Sequence, residues 1–362
     1  MKIAAFGEIM ARMCPPEFMR LRQALPGPLE VTFAGAEANV AVSIALFGGD
    51  AVFLSALPDD DLAAACLDTL RARGVDTSRV LRRPGTRMGI YFVERGANQR
   101  PSTVLYDRSH AAIATTPASS YDWGGSLNGC NWLHVTGITP ALSSHAAAAS
   151  LAAVKAAKAR GMTVSCDLNF RAKLWCWEEG TDARTLARKT MREILDEIDV
   201  IIGNEEDASD VLGIDAEGSD VDSGDLRIDR YPEVARKIVD LHPNIGMVAV
   251  TLRQSLSASH NKWGAMLFDG KSNEAHFAPV VGDVYEPYAI THMVDRVGGG
   301  DAFAGALLFA LNSPELNDPG LAVRFAAAAS CLAHSIPGDF NFVSRAEVER
   351  LMGGSASGRV LR

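Results

Sequence analysis

The chain has 362 residues with 48% hydrophobic and 22% charged side chains, enough apolar material to build a large core without disulfides or structural metals. Its net charge is −9, and no run of Lys or Arg gathers into the basic footprint that a nucleic-acid partner requires. No apolar stretch approaches the ~20 residues of a membrane span, and the six cysteines form neither a C-x-x-C pair nor a zinc-like spacing with His, so reduced thiols in a cytoplasmic protein are expected.

The predicted elements, in chain order, begin with a buried strand over Lys2–Phe6, whose apolar run ends at Gly7 and Glu8. This opening is too short for a signal peptide. Cys14–Pro28 is rich in Pro and Arg and has no clear period. Ala36–Phe47 reads as a helix stopped by Gly48-Gly49, Ala51–Ala56 as a strand, and Asp61–Arg73 as an amphipathic helix ended by Gly74. Two β-rich runs, Gly89–Glu94 and Ser102–Tyr106, flank a turn-rich centre and predict a hairpin outside the main body.

Strand signals at Trp132–Thr136, Thr163–Asp167, Val200–Gly203 and Met247–Thr251 alternate with helix-length segments. That alternation implies a parallel sheet covered on both faces. The acidic stretch Asp215–Arg230 predicts a surface insertion. Lys262–Phe268 and Glu274–Pro279 predict a late antiparallel pair, and Asp301–Leu311 and Leu321–His334 two Ala-rich packed helices. The chain is expected to form one domain over 1–352, with a small β lid from about 12–34 and 87–112 and a flexible tail over 353–362.

The most informative stretch is Val294–Gly305, VDRVGGGDAFAG. Gly298, Gly299 and Gly300 would let the backbone approach a ligand and aim N–H groups at it. Asp301 would sit in the first turn of the following helix, where the dipole favours an anion. A phosphoryl group transferred there would be stabilised as its charge spreads, and Asp301 could take the proton of an attacking hydroxyl. The same residues also suit a glycine turn with an ordinary N-cap.

The pattern D-x-V-G-x-G-D-A-F-x-G resembles the C-terminal signature of the ribokinase-like (PfkB) sugar kinases, with Arg296 in place of a common Thr and Gly299 in place of a common Ala. The resemblance implies a ribokinase-like αβα sandwich with a mostly parallel sheet, Asp301 as catalytic base and the backbone of Gly298, Gly299 and Gly300 as anion hole. It also implies ATP and Mg²⁺ as cofactors. The N-terminal family signature G-G-x-x-x-N-x-A is similar to Ala34–Ala41, where Gly35 and Asn39 match and Ala34 takes the first glycine position; both residues are then expected at the sugar. Asn204 and Asp207 resemble the family's N-x-x-E, which reaches Mg²⁺ through water; the carboxylate of Asp207 stands on a shorter arm. Asn169, Thr251, Arg253 and Ser255 are expected along ATP, together with Gly298 and Gly300.

The segments Gly89–Phe92, Leu105–Arg108, Asp167–Arg171, Thr251–Ala258, Val294–Val297 and Ser335–Asn341 are further similar to the 2-keto-3-deoxygluconate kinases. A sugar acid needs a cation, and the planar fork of Arg suits a carboxylate. Arg108 and Arg171 are the candidates, with Tyr91 and Tyr106 beside them; Arg87 and Arg100 are expected to be solvated. The expected activity is phosphorylation of the terminal 6-hydroxyl of 2-keto-3-deoxygluconate, with a homodimer or larger homo-oligomer formed through the lid. A kinase for a neutral ketose such as fructose, or a non-catalytic sugar sensor on the same fold, are the alternatives. The chain has neither a G-x-x-x-x-G-K-[ST] loop nor the H-R-D and D-F-G set of protein kinases.

Overall fold

The computed structural model describes residues 1–214, 228–282 and 284–354. Most of the expected acidic insertion (215–227) and most of the expected tail (355–362) lie outside the described residues.

The strands of the main sheet are β1 (Lys2–Phe6), β4 (Asp50–Leu54), β5 (Val75–Asp76), β8 (Trp132–Thr136), β9 (Thr163–Asp167), β10 (Val200–Gly203), β11 (Met247–Ser255), β12 (Asn261–Asp269), β13 (Glu274–Ala278) and β14 (Tyr288–Ile290). Their order is β13-β12-β11-β10-β9-β8-β1-β4-β5, with β14 also on β12. Pairing is parallel from β5 through to β11 and antiparallel around β12. Parallel strands are buried on both faces, which is why they read as continuous apolar runs. In β1, Ile3 and Ala5 join one core while Ala4 and Phe6 join the other, the period-2 alternation of a strand.

The first core packs helices α1 (Ala36–Leu46), α2 (Asp61–Arg71), α6 (Gly299–Leu311), α7 (Pro319–Ala333) and α8 (Arg345–Met352) on one face. The second packs α3 (Ser144–Lys158), α4 (Ala183–Leu195) and α5 (Tyr231–Leu241) on the other, giving three layers. Short polar side chains start these helices: Asp60 Oδ1 accepts the Ala63 N–H at 2.8 Å, and Ser143 Oγ accepts that of Ala146 at 3.0 Å.

A second sheet stands apart, with order β3-β2-β6-β7: β2 (Met10–Cys14), β3 (Glu30–Ala34), β6 (Gly89–Glu94) and β7 (Thr103–Asp107). The hairpin β6–β7 coincides with the expected one, in the register Tyr91 opposite Tyr106. Strand β2 is a difference from the sequence reading, which starts this region near residue 12. Met10–Cys14 carries Arg12 at its centre and so lacks the apolar signal of a buried strand. A second difference is β11, which does not end at Thr251 but continues to Ser255, paired residue by residue with β12. The segment expected along the nucleotide is therefore strand, with Thr251, Arg253 and Ser255 pointing to one face.

Candidate functional site

A cleft of about 500 Å³ opens between the second sheet and the C-terminal ends of the parallel strands. It lies where β4 and β8 leave β1 in opposite directions, the switch point at which open α/β sheets bind ligands. Strand ends supply Glu8 after β1, Asp167 and Asn169 at the end of β9, and Asn204 and Asp207 after β10.

Helix α6 begins at the floor of the cleft. Gly298 is its N-cap, in the left-handed region at φ 86°, and a Cβ there would stand 2.4 Å from the Asp339 carbonyl oxygen. Only glycine meets both demands. The amides of the first helical turn have no partner inside the helix and can serve an anion. The three glycines are not equivalent. A Cβ on Gly300 would meet nothing within 4 Å, because that position faces the open cleft, whereas a Cβ on Gly299 would meet the His334 ring at 2.7 Å. Gly298 and Gly300 line the cleft; Gly299 is buried beneath it. Of the three glycines of the expected anion hole, two line the cleft.

Asp301, third residue of α6, also lines the cleft. Asn39 Nδ2 donates to its Oδ2 at 2.6 Å, and Asn39 Oδ1 accepts the Gly35 N–H at 3.3 Å. The two N-terminal signature residues therefore orient the aspartate. Burial pushes the Asp301 carboxyl up to about 6; the Asn39 hydrogen bond opposes that shift and the nearby Glu37 adds to it. Glu37 is fully enclosed, with its Oε1 accepting from the Thr136 and Thr139 hydroxyls at 2.8 and 2.7 Å. A carboxylate that lines an open cleft at the mouth of a helix, with its pKa raised toward neutrality, has the chemistry of a general base.

The expected sugar residues all line the cleft, with different hydrogen-bonding states. Tyr91 and Tyr106 line it with ring centroids 6.0 Å apart. The Tyr91 hydroxyl is already used, donating to Asp339 Oδ2 at 2.7 Å. Arg108 is buried, stacked over Tyr106 and ion-paired with Glu8. Its charge is thereby answered inside the protein, while the residue still lines the cleft where it was expected. Arg171 is exposed in the cleft and its Nη1 donates only to the Phe170 carbonyl at 2.8 Å; among the described residues it forms no ion pair. Arg87 pairs with Asp107 at 2.6 Å, and Arg100 donates to the Phe18 carbonyl at 3.0 Å; neither lines the cleft.

Of the residues expected along the nucleotide, Asn169, Thr251 and Arg253 line the cleft, and Ser255 lies further out on β11. Asn169 adopts φ 38°, which turns the chain from β9 into the cleft. Arg296 also lines it, and burial together with the charge of Arg253 lowers its pKa. Asp207 is fixed by backbone donors: Phe170 N–H to Oδ1 at 2.8 Å and Asn204 N–H to Oδ2 at 3.1 Å, with the Asp207 N–H returned to Asn204 Oδ1 at 2.9 Å. No cluster of three or more His, Cys, Asp or Glu is placed to hold a metal ion directly, among the described residues.

Glu8, Arg12, Glu37 and Asp339 were not singled out from sequence. Each is a buried charged residue, but burial of a charge follows from long-range packing and leaves no local mark. Glu8 alone carried a hint, as an acid abutting an apolar strand.

Known proteins resemble the chain in sequence and in fold. The chain is 32% identical to a 2-dehydro-3-deoxygalactonokinase of Haloferax volcanii over 99% of this chain and 98% of that protein. A crystal structure of 2-dehydro-3-deoxygluconokinase from Thermotoga maritima superposes with a TM-score of 0.87, at 43% identity, covering 98% of this chain and all of that one. A PfkB family carbohydrate kinase from Listeria grayi superposes with a TM-score of 0.84 at 30% identity, again covering 98% of this chain and all of that one. The pattern of the pfkB family carbohydrate kinases matches residues 1–241, and the chain belongs to that family.

Proposed function

We propose that the protein transfers the γ-phosphoryl group of ATP to the terminal hydroxyl of a 2-keto-3-deoxy sugar acid, with 2-keto-3-deoxygluconate as the substrate and its 6-phosphate as the product. The observation that carries the substrate class is Arg171, a guanidinium in the same cleft as Asp301 that forms no ion pair among the described residues. A neutral ketose gives no reason to leave that charge unanswered. The names of the two sugar-acid kinases to which the chain is similar support the same class.

The small sheet acts as a lid on the sugar, which lies against Tyr91 and Tyr106 with its carboxylate toward Arg171. Its far hydroxyl is directed at Asp301, which removes the proton as the oxygen attacks phosphorus. Gly298 and Gly300 present backbone amides to the transferred group. Arg108, neutralised by Glu8, contributes hydrogen-bonding directions and a stacked Tyr106 in place of net charge. ATP extends along Thr251 and Arg253.

The donor set around Asp207 fits a hydrated Mg²⁺ held mainly by phosphates: Asp207 and Asn204 are fixed and polar, and among the described residues no direct cage surrounds them. Bound there, the ion would neutralise charge on the phosphates.

A direct assay decides the substrate. Purified protein is offered Mg-ATP with 2-keto-3-deoxygluconate, 2-keto-3-deoxygalactonate, fructose and ribose, and ADP release is followed. The expected result is turnover on a sugar acid at least about a hundredfold above that on either neutral sugar. Equal turnover on fructose or ribose overturns the sugar-acid reading.

A further inference from the structure

We infer that Arg12 is a positioning residue that bolts the small sheet to the anion-binding turn, so that the sugar side of the cleft and the phosphoryl-transfer side are held in one register. Arg12 lies at the centre of β2, its backbone paired with Thr32 on one side and Tyr91 on the other. Its side chain is 3% exposed. Nη2 donates to Asp295 Oδ2 at 2.5 Å, and Nη1 stands 3.2 Å from Asp339 Oδ1.

Both acids shape the turn before α6. Asp295 Oδ1 accepts the N–H groups of Arg296 and Val297 at 2.9 and 3.2 Å, and Oδ2 accepts that of Gly338 at 3.2 Å. Asp339 holds the turn from behind: its carbonyl oxygen is packed against Gly298, and its carboxylate accepts from Tyr91. One guanidinium therefore joins the front of the anion turn, its rear wall and the strand pair that carries Tyr91. Arg suits this place because its fork reaches two carboxylates at once, which a lysine ammonium does with poorer geometry.

The geometry also separates this role from ordinary lid anchoring. A residue that only held the sheet on would be free to pair with any buried acid. Here both partners touch the backbone on which the helix mouth depends. Loss of Arg12 leaves two buried acids, Asp295 and Asp339, without their shared cation, so that they repel or take up a proton. Their separation would be expected to shift Gly298 and, one turn later, Asp301.

The inference rests on phosphoryl transfer, and wild-type turnover on whichever sugar it accepts serves as the reference; failure of the sugar-acid assignment changes that sugar and leaves the ratio of variant to wild type readable. Arg12→Gln, Arg12→Lys and Asp339→Asn are compared at a temperature well below each one's unfolding midpoint, with rates normalised to folded protein. The expected result for Arg12→Gln is a kcat lowered tenfold to a hundredfold, with KM for sugar and for ATP each within threefold of wild type. Arg12→Lys is expected to recover at least fivefold of that loss. Asp339→Asn, which keeps the shape of the side chain, is expected to lower kcat with KM unchanged and covers the case in which Arg12 variants do not fold. Unchanged kcat in the folded variants, a loss confined to KM, or no recovery by lysine overturns the inference.

Discussion

Asn39 and Asp301, separated by 262 residues in the chain, meet through a 2.6 Å hydrogen bond from the Asn39 amide to Asp301 Oδ2. The bond joins the start of α1 to the start of α6 and fixes one of the two carboxylate oxygens. It also favours the charged form of a carboxylate that burial would otherwise neutralise.

Asp301→Asn is expected to lower kcat by about 10²–10⁴-fold, the usual contribution of a positioned base. Sugar and nucleotide affinity should persist, as read by calorimetry with ADP and the sugar acid. The same substitution should raise thermal stability. Asp301 has a folded-state pKa of about 6, above the ordinary carboxylate value, so the stability it contributes is present at low pH and is lost as pH rises through about 6. The stability gap between variant and wild type should therefore widen between roughly pH 4 and pH 6 and stay constant above. Near wild-type turnover in the folded variant would remove Asp301 from the mechanism.

The pH dependence of turnover follows from the same group. A base must be deprotonated, so kcat/KM should fall as pH drops through about 6. Asn39→Ala removes a hydrogen bond to the charged form, and the acid limb should move to higher pH. An unmoved limb in that variant would mean that another group titrates.

The glycines separate structure from ligand contact. Gly300→Val points its side chain into the open cleft and should raise KM for ATP or lower kcat with little effect on the unfolding midpoint. Gly299→Val meets the His334 ring and should chiefly lower stability, by roughly 1–3 kcal/mol, the range for overpacking a well-filled site. Thermal melts and ATP titrations of the two purified variants distinguish the cases. Equal effects on ATP kinetics would mean that both glycines face the phosphates.

Arg171→Ala should weaken binding of a sugar acid by roughly 1.5–3 kcal/mol, the worth of a hydrogen bond to a charged group. It should leave the ATP KM nearly unaltered. Arg108→Lys should damage the fold as well as the rate, because Glu8 lies buried against the guanidinium. Comparison of the acid with its uncharged analogue in wild type and Arg171→Ala is decisive. A carboxylate site requires wild type to prefer the acid and the variant to lose most of that preference.

The outer strand of the small sheet, Thr103–Asp107, is exposed along its whole length, with Leu105 60% accessible; Val31 on β3 at the opposite edge is 53% accessible. Unpaired edges and exposed apolar side chains favour a partner strand or sheet. We expect a homodimer in light scattering at micromolar protein, and Leu105→Lys should shift it toward monomer. A purely monomeric wild type would refute pairing through this sheet.

The layered α/β architecture was readable in the sequence because its signals are local. Lys2–Phe6, Trp132–Thr136, Thr163–Asp167 and Val200–Gly203 are apolar runs whose length and spacing are those of buried parallel strands, and each coincides with a strand. The glycine run before Asp301 and the pair Gly35 and Asn39 were equally legible, because close backbone approach and a fixed amide demand particular residue types. Tertiary structure decided how the charges are distributed. It neutralised Arg108 with Glu8, left Arg171 in the cleft without an ion pair among the described residues, turned the side-chain face of Gly299 away from it, and enclosed Arg12 between Asp295 and Asp339. A buried charge is tolerated only where an opposite charge or donor reaches it, and those partners can lie hundreds of residues away, as Asp295 does from Arg12 at a separation of 283. Secondary-structure preference acts over a few neighbouring residues and can be read along the chain; electrostatic compensation acts through space and exists only once the sheets and helices have packed.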